Sequence, residues 1–81
     1  MYGEYSNNEQ ELPFYLTKRE HQVLVLAARG LSDKEIAEHL NAAQRTISVH
    51  FANIFNKLNV RNRVQAVVEA IRHGLLKLTE I

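Results

Sequence analysis

Four histidines, His21, His39, His50 and His73, and three serines, Ser6, Ser32 and Ser48, are the side chains that metal binding or nucleophilic catalysis would call on. The histidines are 18, 11 and 23 residues apart, spacings that place no two of them as a ligand pair on one helix face, and there is no cysteine to complete a site. No serine has a base and an orienting acid near it in sequence, and no Gly-x-Ser-x-Gly turn is present. Glu35 and Glu38, three apart, are accounted for by a solvated helix flank. Neither an enzyme, a metal site nor a cofactor is expected.

The remaining chemistry is electrostatic. Ten Lys and Arg face nine Asp and Glu, a formal net charge of +1, but the charges are segregated. Residues 1–15 hold Glu4, Glu9 and Glu11 and no base, a balance of −3, which leaves +4 on the other 66 residues. Between Asn41 and Arg63 stand Arg45, Lys57, Arg61 and Arg63 with no acid at all. A basic segment of this kind suits a polyanionic partner.

The elements that must carry these residues are bounded by length and composition. A chain of 81 residues supports one small domain with one modest core. The absence of cysteine excludes a disulfide scaffold and fits a reducing compartment. No apolar run approaches the roughly 20 residues of a membrane span, and the N-terminus "MYGEYSNNEQ" has no basic start followed by an apolar stretch, so it does not read as a secretory signal. A soluble, cytoplasmic protein is expected. Residues 1–13 read as a flexible acidic lead or linker, with Phe14, Tyr15 and Leu16 as an apolar lid on a domain spanning 14–81.

Helix punctuation is dense from Thr17 onward. Thr17 with Glu20, and Ser32 with Glu35, fit the capping box, in which a hydroxyl caps a first-turn amide and the acid three residues on reaches back. Val23, Leu24, Ala27 and Ala28 give a first helix at about 18–29, closed by Gly30, and Ile36, Ala37 and Leu40 give a short second helix at about 33–40. After the turn Asn41-Ala42-Ala43, Ile47, Phe51, Ile54 and Leu58 mark a third helix at about 44–58. Asn62, with Gln65 three residues on, caps a fourth at about 63–73, ended by Gly74. No segment alternates with period two, so the fold class is all-α, a four-helix, bundle-like domain.

The second and third helices have the proportions of a helix-turn-helix. With the apolar stripe of the third helix turned inward, Arg45, Ser48, Val49, Ala52, Asn53 and Asn56 fall on the opposite arc, and Phe55 lies at the boundary. That arc is small, neutral or basic. Small side chains let a helix enter a major groove about 12 Å wide, where Arg and Asn reach base edges and Val meets a thymine methyl. An ordinary solvated face has the same composition. On the fourth helix, Val64, Val68, Ile71 and Leu75 form one apolar stripe and Ala66, Val67 and Ala70 another. One stripe is available to a symmetry mate, or both are buried in so small a domain. Val25 points away from the core arc of the first helix.

"LTKREHQVLVLAARGLSDKEIAEHL" followed by "RTISVHFANIFNKLNVRNRVQAV" resembles the LuxR-type, GerE-like helix-turn-helix of bacterial transcription regulators over about residues 16–76. The resemblance implies a DNA-binding activator or repressor whose third helix enters the major groove of double-stranded DNA and whose fourth makes a homodimer; RNA polymerase is left open as a second partner. Structural positions of the family fall on Leu16, Glu20, Val23, Leu24, Gly30, Ile36, Ala37, Leu40, Ile47, Ile54, Leu58, Val60, Ala66 and Val67. Its phosphate contacts fall on Lys34, Thr46 and Lys57, to which Arg61 is added from its loop position, and its base-reading positions on Ser48, Val49 and Ala52, with Arg45 adjacent. His50 matches a position that the family often fills with His, where packing or capping is its role. Two departures matter. Positions 48 and 52 often carry Lys or another long polar side chain, and Ala43 stands where a Ser or Thr usually caps the third helix, a loss on the order of 1 kcal/mol. They keep open a protein-interaction module with weakened DNA readout. A sigma-factor-like promoter-binding region shares the same skeleton but usually ends soon after its recognition helix, whereas this chain runs on.

Overall fold

The computed structural model describes residues 15–81. The lead 1–13 and Phe14 lie outside the described residues. Four helices follow one another, α1 Lys18–Ala28, α2 Asp33–Leu40, α3 Gln44–Leu58 and α4 Arg63–Arg72, and a single 3₁₀ turn covers Leu78–Glu80. Among the described residues there is no strand. The sequence-based bounds of α2 and α3 coincide with the observed ones, and α1 and α4 each stop one residue earlier than expected.

The starts of three helices are held as their sequences require. Thr17 Oγ1 accepts from the Glu20 amide at 3.1 Å and Glu20 Oε1 from the Thr17 amide at 2.9 Å. Ser32 and Glu35 repeat this box at 3.2 and 2.8 Å. Asn62 Oδ1 accepts from the Gln65 amide at 2.9 Å, while Gln65 Oε1 reaches one residue further back than a capping box would, to the Arg61 amide. Ala43 starts α3 with no side-chain cap.

The helix ends share one device. Gly30, Asn41, Asn59 and Gly74 all have positive φ, between 54° and 95°, so the two asparagines do at α2 and α3 what the two glycines do at α1 and α4. In each case the left-handed residue donates to the carbonyl three back and the next residue to the carbonyl five back, as in Gly30 to Ala27 with Leu31 to Leu26, and Asn59 to Asn56 with Val60 to Phe55. Those next residues, Leu31, Ala42, Val60 and Leu75, all turn onto the core. Each turn is thereby fixed both by hydrogen bonds and by burial.

The core takes Val23, Leu24, Leu26 and Ala27 from α1, Ile36 and Ala37 from α2, the stripe Ile47, Phe51, Ile54 and Leu58 from α3, and Ala66 and Ala70 from α4. Each fully buried Leu or Ile among them contributes about 2 kcal/mol. Leu76, beyond Gly74, closes the core, and the sequence pattern did not mark it. Its segment is held by Arg29, whose Nη2 donates to the Glu80 carbonyl at 2.7 Å, and by His21 Nε2 at 2.9 Å from Glu80 Oε1.

Three expectations need correction. Val25 is partly buried against the core rather than pointing away from it. Of the described members of the expected lid, Leu16 packs on the core but Tyr15 does not, being 69% exposed. The two apolar stripes of α4 divide differently from their sequence pattern. Small Ala66 and Ala70 face fully inward and let α4 approach closely, and Ile71 and Leu75 lean on the core beside them, leaving Val64 and Val68 as the exposed members.

Candidate nucleic-acid interface

Burial of Ile47, Phe51, Ile54 and Leu58 fixes the rotation of α3 about its axis, because residues on one face of a helix recur every three or four positions. Arg45, Thr46, Ser48, Val49, Ala52, Asn53 and Asn56 are consequently all exposed. Val49 is 54% exposed. There is no acid anywhere in α3. Lys34 is exposed on α2 and Arg61 on the turn that follows α3. The side chains of Lys34, Arg45 and Arg61 make no hydrogen bond or ion pair with other described residues, so their charges are directed to solvent.

An open cleft of about 480 Å³ brings several expected site residues together: Ser48, Ala52 and Arg61 line it with Asp33, Asn62, Arg63 and the rings of Phe51 and Phe55. Phe55, which the helical wheel left at the boundary, is half-buried beside Phe51, with ring centroids 5.7 Å apart. His50 is half-buried as well. Among the described residues no group of three or more His, Asp or Glu converges as a metal site would require. No helix among them is long and apolar enough to cross a membrane.

Lys57 occupies a different position from the other expected phosphate contacts. Its Nζ donates to Glu20 Oε1 at 2.6 Å and lies 5.3 Å from the centroid of the Tyr15 ring. Glu20 is 3% exposed, a carboxylate inside the domain. Burial pushes its carboxyl upward, but the Lys57 hydrogen bond, the Thr17 amide, the Lys57 charge and the Thr17 hydroxyl together outweigh this and hold it below its usual value. Glu20 therefore caps α1 and anchors the end of α3 at once. An ammonium has three donors, so Lys57 keeps two for another partner.

Arg63, in the sequence no more than part of a basic segment, has specific partners in the structure. Its Nη1 donates to the Leu31 carbonyl at 2.7 Å, its Nη2 pairs with Asp33, and its guanidinium carbon lies 4.6 Å from the centroid of the Phe51 ring. One signal in the sequence was available. Arg63 is the first residue of α4, where a positive charge opposes the helix dipole, so its presence there calls for a partner elsewhere.

A short helix, a tight turn and a longer helix with one exposed, acid-free face, all held on two further helices, define the helix-turn-helix class. A model of the GerE family, bacterial regulatory proteins of the luxR family, matches residues 15–70. The response regulator protein VraR of Staphylococcus aureus is 42% identical over 67 residues, which cover 83% of this chain and 32% of that protein. The protein of the same name from Staphylococcus epidermidis matches to the same extent. Among solved structures, the response regulator ChrA of a heme-sensing two-component system superposes with a TM-score of 0.75 at 32% identity, over 76% of this chain and 31% of its own. The transcription factor GerE does so with a TM-score of 0.74 at 38% identity, over 78% of this chain and 94% of its own. The chain belongs to the luxR family of bacterial regulatory proteins. It spans about a third of the length of the curated relatives it matches.

Proposed function

We propose that the chain regulates transcription by binding double-stranded DNA in the bacterial cytoplasm, with α3 in the major groove. The observation that carries this reading is the exposed, acid-free face of α3, rigidly aimed by a buried stripe on its opposite side. Arg45 and Val49 are the side chains with reach toward base edges, and Ser48 and Ala52 let the helix come close without supplying bidentate contacts of their own. Lys34, Thr46 and Arg61 take phosphates, joined by the two unused donors of Lys57. The first-turn amides of α3, left uncapped by Ala43, suit a phosphate oxygen. With short side chains at 48 and 52, affinity leans on the backbone and on DNA shape more than on direct readout.

Two copies pair through α4 in this reading. Val64, 70% exposed, and Val68, 48% exposed, form the centre of the contact, with Ile71 and Leu75 supporting it from the core side. Half-sites then lie about one DNA turn apart, roughly 10 bp. Selection of bound sites from random duplex DNA tests both parts. A paired, roughly 10-bp-spaced motif is expected. Enrichment of no sequence, with no mobility shift at low salt, contradicts the DNA reading, and enrichment of single half-sites contradicts the dimer.

A further inference from the structure

The outward face of α3 reads a groove only at the angle at which the other helices hold it. Arg63 is placed to set that angle. From the first position of α4 it reaches the Leu31 carbonyl in the turn before α2, the Asp33 carboxylate at the first position of α2, and the face of the Phe51 ring in the middle of α3. Phe51 is buried and directly precedes exposed Ala52, so the ring that carries the guanidinium belongs to the same helical turn as the outward face. A planar, forked cation donates to two acceptors in its plane while its face lies on a ring; a lysine ammonium has neither the plane nor the fork, so at this site it does not hold all three contacts together. At its own helix terminus the charge is unfavourable, which leaves these outside partners as its contribution.

We propose that Arg63 is a positioning residue for DNA recognition, tying the start of α4 to the start of α2 and to the inner side of α3, so that the placement of α4 is transmitted to the outward face. The inference rests on α3 being the DNA-reading helix. The competing role for Arg63, a direct phosphate contact from the edge of the cleft, makes opposite demands on Asp33. If Asp33 holds Arg63 in place, losing that carboxylate harms recognition. If Arg63 binds phosphate, losing it frees the guanidinium and removes a repelling charge, and every duplex binds more tightly.

The test measures the affinity of wild type, Arg63→Lys, Asp33→Asn and the double variant for a duplex selected from a random pool and for an unselected duplex, with folding checked by circular dichroism. Expected is a fall of about tenfold in the ratio of selected to unselected affinity in each single variant, no further fall in the double variant, and an unchanged salt slope on unselected duplex for Arg63→Lys, which keeps its charge. An unchanged ratio in both variants, or tighter binding of both duplexes by Asp33→Asn, overturns the proposal. A second measurement needs no DNA. In the free protein, amide shifts of Arg63→Lys should change at residues 31–33 and 48–55 as well as around position 63. Changes confined to residues 61–66 overturn the tie to α3. If wild type binds no duplex, the DNA reading fails by itself, and the tie is judged by these shifts.

Discussion

On the inner face of α3, Ile47, Phe51, Ile54 and Leu58 are at most 5% exposed, whereas on the outer face Arg45, Ser48, Val49, Ala52 and Asn53 are all open to solvent. One backbone thus carries two sets of residues under different constraints. The inner set is large, apolar and interlocked with three other helices, so it determines stability and the rotation of α3. The outer set is small, polar or basic and touches little of its own chain, so it is free to serve a partner. Lys57, at the boundary, serves both: one donor neutralises a buried carboxylate and two remain to offer outward.

The largest effect that can break this division comes from the inner face. Ile54→Ala should cost about 3 kcal/mol in urea unfolding, because Ile54 is fully buried and the frame cannot close over the space. A cost below about 1 kcal/mol, the level of a surface change, would remove the distinction between the faces. Next comes the boundary. Lys57→Ala should cost about 2 kcal/mol at neutral pH by leaving the Glu20 carboxylate buried with its Thr17 contacts alone. Since the Glu20 carboxyl is held below its usual value when folded, its contribution to stability is complete above the ordinary carboxylate range and is lost as pH falls through the lowered folded value. Urea unfolding across that range should show an acid limb that is smaller in Lys57→Ala. Equal limbs would mean that the pair does not hold the carboxyl down.

Smaller effects belong to the outer side. Ala43→Ser should stabilise the domain by about 1 kcal/mol in thermal unfolding by supplying the cap that α3 lacks. Val49→Ala should change stability by less than about 0.5 kcal/mol yet weaken DNA binding, a separation that no inner-face substitution should reproduce.

Most of the fold is legible in the sequence because its local signals agree with its packing. Thr17-Glu20, Ser32-Glu35 and Asn62-Gln65 start helices where they read as starts, and the 3.6-residue period of α3 gives its buried face without error. Asn41 and Asn59 are less legible, since asparagine adopts the left-handed conformation only where the surrounding chain makes it favourable, whereas glycine announces it. Leu76 and Val25 join the core through the return of the C-terminal segment and the packing of neighbouring helices, contacts that no periodicity reports. For the candidate site, exposure of the α3 arc follows from its period. The clamp by Arg63 does not, because Leu31, Asp33 and Phe51 are separated from it by 32, 30 and 12 positions in the chain. The Glu20 to Lys57 pair, 37 positions apart, is hidden for the same reason.

A salt titration tests the central claim, that the outer face of α3 and its basic neighbours bind duplex DNA, most directly. Affinity for duplex should fall with rising salt at a log-log slope of about −3 per chain, as expected if Lys34, Lys57 and Arg61 displace counterions from phosphates; Arg61→Ala should make that slope shallower by about one, and Arg45→Ala should weaken binding to a selected duplex. Binding that is insensitive to salt, or a slope that Arg61→Ala leaves unchanged together with an affinity that Arg45→Ala leaves unchanged, would contradict it.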